Sequence, residues 1–223
     1  MPTHDKTGQV ALVTGASRGI GQALAIGFAD AGYDVIVTDL PQTEGDLRKT
    51  ADMIAMRGRK AHLLTLDVSD REQIDSTVRR AIADAGRIDV LVNNAGVLKP
   101  SLLQDLDDKT WDTHFDVNVK GVSTQGHYAT TKAAVVTLTR VLAQEVGMDG
   151  ITVNAICPGI ILTEMGRNNL GSDEAVRHWE NTTALKRLGY PEDIVGPVLF
   201  FASEQSAFVT GQALNVCGGI QFH

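Results

Sequence analysis

Tyr128 and Lys132 stand four residues apart in the run Tyr128-Ala129-Thr130-Thr131-Lys132. On a helix, that spacing puts two side chains on one face. An ammonium beside a phenol favours the phenolate and lowers its pKa from about 10. A phenol tuned in this way exchanges a proton with an alcohol or carbonyl oxygen while a hydride moves to or from a nicotinamide. A Tyr-x-x-x-Lys pair is also ordinary helix surface, so the chemistry needs a cofactor site elsewhere in the chain.

Thr14-Gly15-Ala16-Ser17-Arg18-Gly19-Ile20-Gly21 supplies one. Gly15 permits a sharp turn, Gly19 lets backbone approach a pyrophosphate, and Gly21 lets a helix pack close to a strand. The helix N-terminus that follows offers free N–H groups and a positive dipole end to the phosphates. Asp39 lies 18 residues after Gly21 and ends an apolar run. A carboxylate there accepts both adenosine-ribose hydroxyls and repels a 2′-phosphate, which favours NAD over NADP. Arg18, inside the turn, could instead contact a 2′-phosphate, so NADP stays open as the alternative. The bland readings are a tight turn without a ligand and a solvated strand-end Asp.

The elements that must position these residues alternate. Val10–Thr14, Val35–Thr38, Ala61–Leu66 and Ile88–Val92 are short, apolar and β-branched, the pattern of buried parallel strands. Between them Ile20–Ala29, Leu47–Met56 and a segment up to Ala85 have helical spacing, the last opened by a Ser69/Glu72 capping box. Trp111–Val122 and Tyr128–Val146 are expected helices, Ile151–Ile156 a strand, Pro191–Phe201 a helix with Pro in its first turn, and Ala213–Val216 a last strand. This is the pattern of an α/β fold with a Rossmann-like, doubly wound parallel sheet in a single domain spanning residues 1–223. Glu164–Leu185 is polar and weakly periodic, and reads as a substrate lid with Gly166 and Gly171 as hinges.

In this order, the motifs resemble those of the classical short-chain dehydrogenase/reductase family. The resemblance runs from about Gln9 to Gly219 and rests on the glycine turn, Asp67-Val68, Asn93-Asn94-Ala95-Gly96, Tyr128 with Lys132, and Pro158-Gly159 with Thr163. It implies that Gly15, Ser17, Arg18, Gly19, Ile20 and Gly21 hold the pyrophosphate end and that Asp67 and Val68 border the adenine. It implies that Asn93 and its neighbours Asn94, Ala95 and Gly96 steady the central strands and line the cofactor cleft. Pro158, Gly159, Ile160 and Thr163 would hold the nicotinamide. Tyr128 would be the acid/base, Lys132 would also bind the nicotinamide ribose, and Asn118 would hold a relay water through its backbone. Homodimers or homotetramers are expected, through the helix bearing Tyr128 and through the Pro191 helix with the last strand.

One departure matters. The family carries a Ser on a fifth strand, about a dozen residues before the Tyr. Counting back from Tyr128 lands in Trp111–Asp116, which holds no Ser, and no strand can be placed between the two central helices. Ser123, in the turn-like tetrad Ser123-Thr124-Gln125-Gly126, is a stand-in only five residues upstream. The fifth strand and part of the preceding helix are thus read as absent, a loss of about 30 residues, the size of one crossover unit.

Composition agrees with a soluble enzyme. The chain has 223 residues, near one domain of about 150, with 43% hydrophobic and 21% charged residues, which excludes disorder. Its net charge of −7 and pI near 5.3 show no basic stripe, arguing against nucleic acid and anionic membranes as partners. Met1–Gln9 is polar, no apolar run approaches the roughly 20 residues of a membrane span, and two cysteines, Cys157 and Cys217, read as buried thiols. A cytoplasmic protein is expected. The six histidines lack metal-ligand spacing, so no metal is expected. The leading reading is an NAD(P)-dependent oxidoreductase interconverting a secondary alcohol and a ketone. The alternatives are an NADPH-dependent 3-oxoacyl reductase and a non-catalytic dinucleotide-binding protein.

Overall fold

The computed structural model describes residues 6, 8–97, 109 and 126–220. They fall into two compact units, Met1–Gly96 and Val97–His223.

In the first unit, β1 (Val10–Thr14), β2 (Asp34–Asp39), β3 (Ala61–Thr65) and β4 (Val90–Val92) form a parallel sheet of order β3-β2-β1-β4. All five residues of β1 are buried, as a continuous apolar run flanked by two parallel neighbours requires. Between the strands run α1 (Gly19–Asp30), α2 (Glu44–Ala55) and α3 (Arg71–Ala85). Helix α3 sets Ala81 and Ala85 against Val10, Leu12, Ile36 and Leu64. Its cap differs from the expected Ser69/Glu72 box. Asp70 is the N-cap and its carboxylate accepts the N–H groups of Glu72 and Gln73 at 2.9 and 3.1 Å. Ser69 instead donates its hydroxyl to Asp67 at 2.7 Å, which leaves Asp70 to satisfy the helix.

In the second unit, α4 (Gly126–Val146) leads to β5 (Ala155–Pro158), which pairs in parallel with β6 (Ala213–Val216). The expected strand Ile151–Ile156 is shifted towards the C-terminus. Val153 and Asn154 bond to the 209–212 loop instead of a ladder, with Asn154 Nδ2 on Val209 O and Thr210 Oγ1 accepting the Val153 N–H. The polar stretch after β5 is two short helices, α5 (Glu164–Leu170) and α6 (Asp173–Thr182), opened by Thr163 and Ser172 as side-chain caps. Helix α7 covers Pro191–Phe201. The expected helix over 111–122 and the proposed loss before Tyr128 lie outside the described residues.

Candidate dinucleotide and catalytic site

The glycine turn is built by residues that close in from three directions. Gly15 takes φ +66°, and a side chain there would sit 2.9 Å from Ala95 Cα. Only glycine combines that dihedral with that approach. A Cβ on Gly21 would collide with Gly15 O and the Asn94 amide, so α1 packs directly on the end of β1. Asn94 completes the closure. Its Nδ2 donates to Thr14 O at 2.9 Å and to Gly15 O at 3.2 Å. Thr14 Oγ1 in turn accepts the N–H groups of Asn94 and Ala95, both at 3.0 Å. The residue that ties β1 to β4 is therefore Asn94, while Asn93 is exposed.

The turn is held on its other side by Asp39. Its Oδ2 accepts the Ser17 N–H at 3.0 Å and its Oδ1 the Leu40 N–H at 2.8 Å. Ser17 and Ala16 are buried, and Ala16 N–H reaches Thr38 O at 3.1 Å. The first turn of α1 carries no acidic side chain, so its positive end meets no carboxylate from its own helix. A cradle with no room for side chains, opening on a helix N-terminus, fits a pyrophosphate.

At the end of β3, Asp67 Oδ1 accepts both the N–H and the hydroxyl of Ser69, at 2.9 and 2.7 Å. Gln73, which the sequence reading passed over, accepts the Asp67 N–H at 3.1 Å and donates to Asp70 Oδ2 at 2.8 Å. The Asp70-x-x-Gln73 spacing, a capping-box variant, was the available signal. Val68 follows in the same bend.

In the second unit, Tyr128 and Lys132 both lie on α4, one turn apart. Burial pulls the Lys132 ammonium below the ordinary lysine value, and the charge of the nearby Cys157 opposes the shift. Burial pushes the Cys157 thiol up. Both cysteines are half-buried rather than fully buried as expected: Cys157 lies inside β5 opposite Asn215, and Cys217 follows the end of β6. There Gly159 passes so close that a Cβ would lie 2.7 Å from Cys217 Cα. Gly159 and Ile160 share a recess of about 140 Å³ with Cys217, Gly218 and Arg187, three residues without a sequence signal. Thr163 lies just beyond, its hydroxyl capping α5 at Gly166 N–H, 3.0 Å. Pro158 is exposed. Asn118 and Ser123 lie outside the described residues.

Comparison with known proteins places this arrangement. A model described as short chain dehydrogenase matches residues 9–125, and one described as Enoyl-(Acyl carrier protein) reductase matches residues 120–221. The chain belongs to the short-chain dehydrogenase/reductase family. The family is one of oxidoreductases with a Rossmann-like α/β fold. A subunit of (2S)-[(R)-hydroxy(phenyl)methyl]succinyl-CoA dehydrogenase from Thauera aromatica is 35% identical over 241 residues, covering 95% of this chain and 96% of that protein. A 3-oxoacyl-[acyl-carrier-protein] reductase from Staphylococcus epidermidis is 32% identical, covering 94% and 98%. The crystal structure of a blue fluorescent protein from a metagenomic library in complex with NADPH is 28% identical with TM-score 0.91, covering 98% and 100%. Since 95% of 223 residues is about 212, the 241-position alignment leaves about 29 positions facing no residue of this chain. That is the size of the segment the sequence reading finds short. Among the described residues no helix is long and apolar enough to cross a membrane, and no group of three His, Cys, Asp or Glu could hold a metal ion.

Proposed function

We propose that this protein binds NAD(H) and moves a hydride between it and a secondary alcohol or ketone, with turnover limited in this short chain. The observation that carries the reading is the Asp39 carboxylate bonded to the Ser17 N–H of the glycine turn. It puts a negative charge at the turn's rim, where a ribose 2′-phosphate would meet it. When bound, the nicotinamide supplies the hydride acceptor or donor. Gly15, Ser17, Gly19, Ile20 and Gly21 cradle the pyrophosphate, Asp67 and Val68 border the adenine, Asn94, Ala95 and Gly96 line the cofactor cleft, and Pro158, Gly159, Ile160 and Thr163 hold the nicotinamide half. Tyr128 gives or takes the proton at the substrate oxygen, Lys132 favours its phenolate and binds the nicotinamide ribose, and Asn118 holds the relay water.

A second reading has its own support. The relatives include a 3-oxoacyl reductase, and one structural neighbour holds NADPH. An NADPH-dependent 3-oxoacyl reductase would use Arg18 on the 2′-phosphate. A binding protein without catalysis is the third, supported by the missing positions in the alignment. Titration with NADH and NADPH, followed by turnover of a panel of alcohols and 3-oxoacyl thioesters, separates all three.

Residues Glu164–Leu185 are proposed as the substrate lid, in a cytoplasmic homodimer or homotetramer. Leu138 and Val141 are exposed on α4, and Phe200 on α7 with Leu214 on β6, apolar surface that suits contact with another copy. Light scattering showing a monomer at high concentration would reject the oligomer.

A further inference from the structure

Arg187-Leu188-Gly189-Tyr190 is a short strap that runs into the start of α7. Gly189 pairs with the turn assigned above to the nicotinamide. Its N–H donates to Ile160 O at 3.0 Å, and Leu162 N–H donates to Gly189 O at 2.8 Å, one parallel rung opposite Ile161. The approach leaves no room for a side chain, since a Cβ on Gly189 would collide with Ile161 Cδ1. Leu188 and Ile161 are both buried, so the rung sits in packed surroundings. The strap and the turn are therefore joined backbone to backbone.

One carboxylate pins the strap at both ends. Arg187 Nη1 and Nη2 donate to Asp193 Oδ2 and Oδ1 at 2.7 and 2.8 Å, and Tyr190 N–H donates to Asp193 Oδ2 at 2.8 Å. A planar guanidinium on both oxygens fixes direction as well as distance. The pair is partly exposed, so it contributes more to geometry than to stability. Asp193 is the third residue of α7 and Tyr190 its N-cap, so the anchor is the first turn of an 11-residue helix. Arg187, Gly189 and Asp193 also line the recess of about 140 Å³ that Gly159 and Ile160 share. We propose that Arg187 and Asp193 are positioning residues: their ion pair holds the strap, and through Gly189 it sets where the turn over 160–163 meets the nicotinamide. The inference rests on the dinucleotide reading above and deepens it, since it names what holds that turn in place.

The test compares two ligands by isothermal calorimetry at neutral pH: NADH, and ADP-ribose, which has both riboses and the pyrophosphate but no nicotinamide. The proteins are wild type, Asp193→Asn, Arg187→Gln and Asp193→Glu. Arg187→Gln leaves the Tyr190 N–H on Asp193, so α7 keeps its start in that variant. Asp193→Asn and Arg187→Gln should each weaken NADH about three- to tenfold, the scale of one hydrogen bond, and leave ADP-ribose within about twofold. Asp193→Glu keeps a carboxylate at the third helical position and should hold NADH within about twofold of wild type. The emission of bound NADH should shift in the two weakened variants, since it reports on the surroundings of the nicotinamide. Unchanged NADH affinity in both variants, or an equal fall for NADH and ADP-ribose, overturns the proposal and leaves the dinucleotide reading standing. Wild type that binds neither ligand overturns that reading and the proposal together.

Discussion

Asn94 and Thr14, 80 residues apart in the chain, hold each other twice: the Asn94 N–H donates to Thr14 Oγ1 at 3.0 Å and Asn94 Nδ2 to Thr14 O at 2.9 Å. The Thr14 hydroxyl lies 3.3 Å from Val92 O, so side chains take over where the β1–β4 register stops at Val13 and Val92. Asn94→Ala leaves two carbonyls of the glycine turn without this donor. We expect a loss of about 1–3 kcal/mol in urea unfolding and weaker NADH binding. Unchanged NADH affinity would show that the turn keeps its shape without the latch.

NADH should bind more tightly than NADPH. Asp39→Ala should narrow that preference and also loosen the turn, because Ser17 and Leu40 both lose their acceptor. Asp39→Asn keeps one acceptor oxygen, so it should narrow the preference with the smaller fall in Tm. Wild type that binds NADPH at least as well in titration refutes the assignment of Asp39.

The lid should show in hydrogen exchange. Its roots are anchored: Leu162 N–H bonds Gly189 O at 2.8 Å, and Leu185 N–H bonds Gly218 O at 3.1 Å, with Thr183 buried. Between them α6 has no buried residue, so little apolar contact resists its opening. Gly171, at φ +72°, is the joint between the two helices. Gly166 is not a hinge, since it sits inside α5 where a Cβ would collide with Ile161 O. Amides over 164–182 should exchange fast in the free protein and slower with NAD. Strong protection without cofactor argues against a lid.

Acid should act through Asp193. Arg187 donates to both of its oxygens, at 2.7 and 2.8 Å, and Tyr190 N–H adds a third bond at 2.8 Å. Arg187 first, then the Tyr190 N–H, lowers the carboxyl from 3.8 to about 2. A folded value below the unfolded one stabilises above about pH 4, and this is lost as pH falls through about 2. The pair is partly exposed, so the effect is modest. Asp193→Asn should flatten Tm against pH in that window, and parallel curves would remove the pair from the acid limb.

The chain should bind NAD but turn over at most weakly. No Ser can be counted to the family's place before Tyr128, and losing one donor at a reacting oxygen typically costs 10²–10³ in kcat. Family-like turnover by a synthetic copy of these 223 residues, abolished by Tyr128→Phe, would refute this and point to Ser123.

Local signals carried much of the fold. Val10–Thr14, Pro191–Phe201 and Ala213–Val216 are elements whose bounds match the sequence reading, since each carries a local start or stop: a β-branched run ending at Gly15, a first-turn Pro, and a short run before Gly218-Gly219. The glycine turn and Asp39 were equally readable, because positive φ and close approach exclude every other residue at Gly15. The helices α5 and α6 were not, since their periodicity is weak and their starts rest on single caps, Thr163 and Ser172. The choice of Asn94 over Asn93 and the Thr50 bond to Ala16 were decided by tertiary structure alone. Each is a hydrogen bond whose partner is chosen by which face the strand or helix presents, and the Asn94 and Thr50 bonds span 80 and 34 residues. Spacing along a chain determines which side chains share a face, but only the packed sheet determines what that face meets.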